Sequence, residues 1–144
     1  MSVTVRPAST DDRRAVERIQ RLALAEPSPS LLVDSLLAAE TALLAEDDGF
    51  PVGYILFAVG DVEAYVPELA VRPTRQGEGV GSQLVDTAVD RLRANGIDTL
   101  RLTARADDDR ARGFYENRGF AAVDREPGHY ADGGDAVVYE RRLD

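Results

Sequence analysis

The stretch Glu68 to Leu84, ELAVRPTRQGEGVGSQL, decides how the rest of the chain is read, because it joins an extended run, a glycine loop and the start of a helix. Glu68-Leu69-Ala70-Val71 reads as the end of a strand, and Pro73 prevents that strand from continuing. Beyond Gln76-Gly77-Glu78-Gly79, apolar residues recur at Val80, Leu84, Val85, Ala88, Val89 and Leu92, which is helical spacing. Glycines ahead of a helix let the backbone approach a ligand closely. The unpaired amides of the first turn then point at that ligand with the positive end of the helix dipole. An anion is expected there; the plainer alternative is a turn that only connects strand to helix.

Two nucleotide-binding loops share parts of this pattern. A Walker loop needs lysine ahead of Ser or Thr, and the chain has no lysine. The dinucleotide fingerprint, G-x-G-x-x-G, needs its third glycine one residue later than Gly81. It also needs an acidic residue at the end of the next strand, whereas Asp98 precedes that strand. What remains is Q/R-x-x-G-x-G/A after a strand ending in valine, met here by Gln76, Gly79 and Gly81. This resembles motif A of the GNAT N-acetyltransferases. The resemblance implies that the backbone from Gly77 through Glu78, Gly79, Val80 and Gly81 to Ser82 holds the pyrophosphate of acetyl-coenzyme A. It also implies that Leu69, Ala70 and Val71 flank the pantetheine arm, with a free amide near Val71 facing the thioester oxygen.

Composition bounds the remaining possibilities. At 144 residues and 44% hydrophobic content, one core and a single domain over residues 1–144 are expected. The absence of cysteine removes disulfides, thiolate metal ligands and a cysteine nucleophile, and one histidine argues against a zinc site. No apolar run approaches the roughly 18 residues of a membrane helix, so a soluble cytoplasmic protein, monomer or homodimer, is expected. Acidic residues outnumber basic ones 26 to 17, giving a net charge of -9, which argues against nucleic acid as a partner. The same charge repels coenzyme A at long range, leaving backbone donors with Arg72 and Arg75 to hold its phosphates.

Along the chain, Val3 to Pro7 alternates like a strand, and Ser9 to Asp12 offers caps for a helix through Val16, Ile19 and Leu22. Pro27-Ser28-Pro29-Ser30 separates it from a second helix. Two apolar runs, Thr41 to Glu46 and Val52 to Val59, flank Asp48-Gly49 as a hairpin, and a turn at Gly60-Asp61 leads to a third run through Val71. Pro67 cannot donate to a ladder, so a bulge is expected in that run. Asn95-Gly96 stops the glycine-loop helix, and the strand from Thr99 to Ala104 is expected to pair parallel to Glu68–Val71 through a strand-helix-strand crossover.

The segment DDRARGFYENRGF, from Asp108 to Phe120, resembles GNAT motif B, with Ala111 and Tyr115 matching and Asp108 where that family usually has Asn. A closing strand, a loop bearing His129 and Tyr130, and a last strand from Ala136 resemble the RimI-like N-terminal acetyltransferase branch. The resemblance implies an α/β (α+β) fold. Its central sheet is mixed and mostly antiparallel, with one splayed parallel pair and about four flanking helices. Asp108 and Ala111 then lie by the cofactor, and Tyr130 and His129 by the acceptor. That branch also carries a glutamate where this chain has Thr103.

Acetyl transfer to an amine needs a neutral amine, a stabilised oxyanion and a proton for the leaving thiolate. With no cysteine and no serine-histidine pair at catalytic spacing, direct attack within a ternary complex is the simpler route. Tyr115, a phenol with reference pKa ~10, is the expected proton donor, packing being its alternative role. Glu68 is the expected base through a water; its alternative is a solvated strand carboxylate. The expected acceptor is a protein or peptide N-terminus. A small amine, or a non-catalytic coenzyme A sensor, are the other readings.

A lysine-free acidic surface suits a salt-loaded cytoplasm, although GC-biased composition also replaces lysine by arginine. If salt adaptation is the cause, the melting temperature rises substantially between tens of millimolar and molar KCl, as the Debye length shortens to about 3 Å. A melting curve that barely moves between those salts assigns the composition to codon bias.

Overall fold

The computed structural model describes residues 2–143. Seven strands form one sheet in the order β1-β2-β3-β4-β5-β7-β6: β1 Val3–Pro7, β2 Ala42–Asp47, β3 Phe50–Val59, β4 Glu63–Val71, β5 Thr99–Arg105, β6 Ala121–Glu126 and β7 Ala136–Arg142. All neighbours are antiparallel except β4 with β5. Helices α1 (Arg13–Ala23) and α2 (Ser30–Ala38) pack on one face, α3 (Val80–Ala94) and α4 (Asp109–Asn117) on the other, so the core is split in two by the sheet. This is the mixed, mostly antiparallel architecture with four helices expected from the sequence.

Local chemistry accounts for the element ends. Ser9 and Asp12 form a reciprocal capping box ahead of α1. The β2–β3 hairpin turns through Asp48 (φ 52°) and Gly49 (φ 84°), two left-handed positions of the kind a tight primed turn demands. Every apolar position of the α3 period, from Val80 to Leu92, is buried, and the helix ends at Asn95 with Gly96 at φ 82°.

The feature that shapes the site lies in β4. Leu56 of β3 opposes Glu68, but Ala58 opposes Tyr65, so Val66 and Pro67 together face the single residue Phe57. This is the expected bulge. One extra residue reverses the alternation of the strand: Ala64 and Val66 pack towards α3, whereas Ala70, also even-numbered, packs with α1 and α2. The parallel pairing with β5 covers Glu63–Val66 only. The sequence placed this pairing at Glu68–Val71; it stops instead at Pro67, which has no N–H to donate and sits in a bulge that turns the strand away.

Gly53 of β3 lets α3 lie close to the sheet. A Cβ there would fall 2.9 Å from the Ala70 carbonyl oxygen, 3.2 Å from Val80 Cγ1 and 3.3 Å from Leu84 Cδ1. Gly53→Ala is therefore expected to destabilise the protein by about 1–3 kcal/mol through overpacking, lowering the melting temperature by roughly 3–10 °C in a chain of this size. Calorimetry checks this, and an unchanged melting temperature shows slack beneath α3.

Candidate active site

Where β4 and β5 part, a cleft of about 460 Å³ opens. Leu69 and Val71 form one wall; Gln76, Gly77, Gly79, Val80, Gly81 and Ser82 form the end; Asp108, Arg110, Ala111, Phe114 and Tyr115 close the other side. Ten of the twelve positions expected to hold a cofactor line this one space. Ala70 and Glu78 do not. Ala70 follows the reversed alternation into the α1/α2 core, and the Glu78 carboxylate pairs with Arg75 at 2.8 Å.

The closed end is a helix N-terminus without a side-chain cap. Gly79, at φ 88° and ψ 5°, is the N-cap residue of α3 and offers no acceptor to the first-turn amides. Gln76 Nε2 donates to the Val71 carbonyl at 3.1 Å and braces the loop against β4. Gly81 sits against α4, with Phe114 Cζ 3.3 Å from the point a Cβ would occupy. Arg75 lines the cleft while bonding Asp47 and Glu78. Arg72, expected to help with phosphates, faces away: its Nε donates to the Pro51 carbonyl at 2.7 Å and its guanidinium lies 4.6 Å over the Phe50 ring.

The open edge of β4 follows from the alternation of antiparallel bonding. Arg72 N–H donates to the Val52 carbonyl, so Ala70 and Glu68 exchange bonds with β3. Leu69 and Val71 therefore turn their N–H and C=O groups to the other edge, where no strand pairs beyond Val66. The bond from Gln76 to the Val71 carbonyl fits this parity.

Tyr115 faces the cleft from α4, packed edge-on against Phe114 (5.3 Å) and Phe120 (5.7 Å). Its hydroxyl makes no hydrogen bond among the described residues. Burial, and then the charge of Asp108, pushes its phenol up, so it stays protonated. Asp108 Oδ1 accepts from Ala111 N–H at 3.0 Å, making this residue the N-cap of α4 as well as part of the cleft wall.

Tyr130 and Tyr65 add smaller contributions that also push the Tyr115 phenol up. Those two belong to a cluster of hydroxyls. The Tyr65 hydroxyl lies 3.3 Å from Thr103 Oγ1, Thr103 also bonds Tyr130, and Arg105 stacks 4.6 Å over the Tyr130 ring. Burial pushes the Tyr130 phenol up, against the hydrogen bond from Thr103. His129 stands edge-on to Tyr130 at 4.9 Å, with Nδ1 2.7 Å from Glu126.

Glu68 differs from both of its expected roles, a base working through water or a solvated carboxylate. It is buried, at 4% exposure, and its oxygens accept from Gln20 Nε2 (3.0 and 2.9 Å), Ser28 N–H (2.6 Å) and the Tyr54 hydroxyl (2.7 Å). The cause is again the bulge, which turns Glu68 to the α1/α2 side. Burial, and then the Glu68 charge, pushes the Tyr54 phenol up, keeping it a donor.

Sequence reading missed Arg110 and Tyr65. Arg110 lies two residues past an N-cap, so it leans over the glycine loop, its guanidinium 3.9 Å from a Cβ built on Gly77. Tyr65, two residues ahead of Pro67, was visible only as an aromatic on an otherwise ordinary strand.

Residues 11–120 match the acetyltransferase (GNAT) family. An uncharacterized N-acetyltransferase of Methanocaldococcus jannaschii is 31% identical over 93% of this chain and 88% of its own length. Among solved structures, Ard1 from Thermoplasma volcanium superposes with a TM-score of 0.92 at 29% identity, covering 99% of this chain and 98% of that one. The ribosomal-protein-S18-alanine N-acetyltransferase from Escherichia coli does so with a TM-score of 0.90 at 26% identity, covering 99% and 94%.

The loop end of the cleft is lined by backbone, so a carboxylate placed there tests whether it holds an anion. Gly79→Asp and Gly81→Asp are each expected to abolish measurable coenzyme A binding in calorimetric titration, by filling and charging the approach to the α3 amides. Wild-type affinity in both variants makes the loop a connector only.

Proposed function

The chain belongs to the GNAT acetyltransferase family, and on that footing we propose that it transfers the acetyl group of acetyl-coenzyme A to the α-amine of a protein or peptide N-terminus, by direct attack in a ternary complex. The observation that carries this reading is the open edge of β4, which lies between an uncapped helix N-terminus on one side and a cluster of hydroxyls on the other. Likeness over nearly the whole chain to the S18-alanine N-acetyltransferase supports a polypeptide acceptor.

Bound acetyl-coenzyme A supplies an activated acyl thioester. The loop and first turn from Gly77 to Ser82 hold its pyrophosphate through backbone amides, with Arg75 and Arg110 adding positive charge. Leu69 and Val71 offer main-chain groups to its arm, and an N–H of this edge stabilises the charge that develops on the acyl oxygen. As the amine nitrogen bonds to the acyl carbon and the carbon–sulfur bond breaks, the Tyr115 hydroxyl gives its proton to the departing sulfur. An α-amine with a reference pKa of about 8 is partly neutral near pH 7 and attacks without a strong base; the proton its nitrogen then releases passes through water to the Tyr115 phenolate and restores the phenol. Tyr65, Thr103 and Tyr130 line the acceptor's entrance. We assign Glu68 to positioning, since Gln20 and Ser28 N–H tie α1 and the loop after it to β4, and the Tyr54 hydroxyl ties β3 to the same carboxylate.

Thiol release from acetyl-coenzyme A in the presence of peptides and small amines tests both the acceptor and the donor. Peptides with free N-termini are expected to turn over best, and Tyr115→Phe to lower kcat by about 10- to 1,000-fold with an unchanged Kd for acetyl-coenzyme A. Turnover confined to small amines removes the polypeptide acceptor, and full turnover in the variant leaves Tyr115 a packing residue.

A further inference from the structure

A second concavity, of about 550 Å³, lies between α1 and the start of β3 and shares no residue with the cleft. Its lining is chiefly cationic and aromatic: Arg14, Arg18 and Arg21 along α1, with Arg72, Phe50 and Pro51 opposite; the one carboxylate in it, Glu17, lies 3.9 Å from Arg13. Arg14, Arg18 and Arg21 stand at i, i+4 and i+7, one face of the helix, and none makes a side-chain ion pair or hydrogen bond among the described residues. Like charges at this spacing repel by a few tenths of a kcal/mol per pair. Most arginines elsewhere on this acidic chain are matched, as Arg6 is with Asp12 and Glu46, Arg101 with Glu140, and Arg118 with Asp86. Where carboxylates are in excess, three adjacent unmatched cations are a departure from the rest of the surface. Beside them Phe50, held under Arg72, is 54% exposed.

We propose that this groove docks an acidic, extended segment of another polypeptide, with carboxylates on alternate residues and one apolar side chain over Phe50. Along the helix axis the three arginines are spaced by about 6 and 4.5 Å, and alternate side chains of an extended chain lie about 6.6 Å apart. Flexible arginine stems absorb the difference and present their guanidinium forks to successive carboxylates. A short segment with few charges enters only the local positive field. A long polyanion such as a nucleic acid runs past the groove into the field of a chain with net charge -9. The assignment stands apart from the acceptor proposed for the cleft.

The test is fluorescence anisotropy on the whole chain at low salt. The probe is a fluorescein-labelled peptide that alternates Glu with Ser and holds one Phe, and a matched peptide has Gln for Glu. The Glu peptide is expected to bind and the Gln peptide not. Arg14→Glu/Arg18→Glu/Arg21→Glu weakens binding at least about tenfold, while the triple Lys variant keeps most of it and all proteins bind acetyl-coenzyme A alike. Equal affinity for the Glu and Gln peptides overturns the proposal. So does undiminished binding by the triple Glu variant, or tighter binding of an oligonucleotide of matched charge.

Discussion

A single missing N–H organises this molecule. Pro67 cannot continue the ladder between β4 and β5, and the bulge that accommodates it adds one residue to β4 opposite Phe57. Three consequences follow from that one defect. The parallel pairing ends at Val66, so the strands part and a cleft exists. The main-chain groups of Leu69 and Val71 are left facing that cleft rather than a neighbouring strand. The side chains change faces, so that Glu68 reaches α1 instead of entering the apolar layer beneath α3. A regular strand in this place would give a sound sheet with no site.

The electrostatics of the chain divide by location. Its net charge disfavours anions at a distance, while the end of the cleft presents uncapped helix amides whose polarity no titration removes. Local cations supplement those amides: Arg75 is fixed between Asp47 and Glu78, and Arg110 leans over the loop. Positive charge therefore gathers in two confined places, the cleft and the α1 groove, on a surface that is otherwise acidic.

What was legible in the sequence was what repeats or what breaks a repeat. The α3 period, the hairpin at Asp48-Gly49, the stop at Gly96 and the bulge at Pro67 each have a local cause, and each is where the residues put it. The glycine loop and Tyr115 were legible through motif spacing, and they meet in one cleft. What escaped depends on parity or on distant partners. The direction of Glu68 hinges on a one-residue shift upstream, and its four hydrogen bonds come from three other segments. The parallel register was misplaced for the same reason, because the crossover names the two strands without naming which half of the first one pairs. The unmatched state of Arg14, Arg18 and Arg21 is invisible until every carboxylate has a position.

The buried Glu68 carboxylate limits how far the segment between α1 and α2 can move. Its 2.6 Å bond from Ser28 N–H holds the segment between α1 and α2, while Gln20 and Tyr54 hold the helix and the sheet. Swinging that segment outward strips a donor from a buried carboxylate, at a cost of about 1–3 kcal/mol. An excursion of that kind is a minority state, so the segment between α1 and α2 keeps its shape before any encounter. If the proposed N-terminal amine is the acceptor, recognition works by sieving: a chain end that fits enters at once, and one that does not fit finds no compliant loop to wrap it.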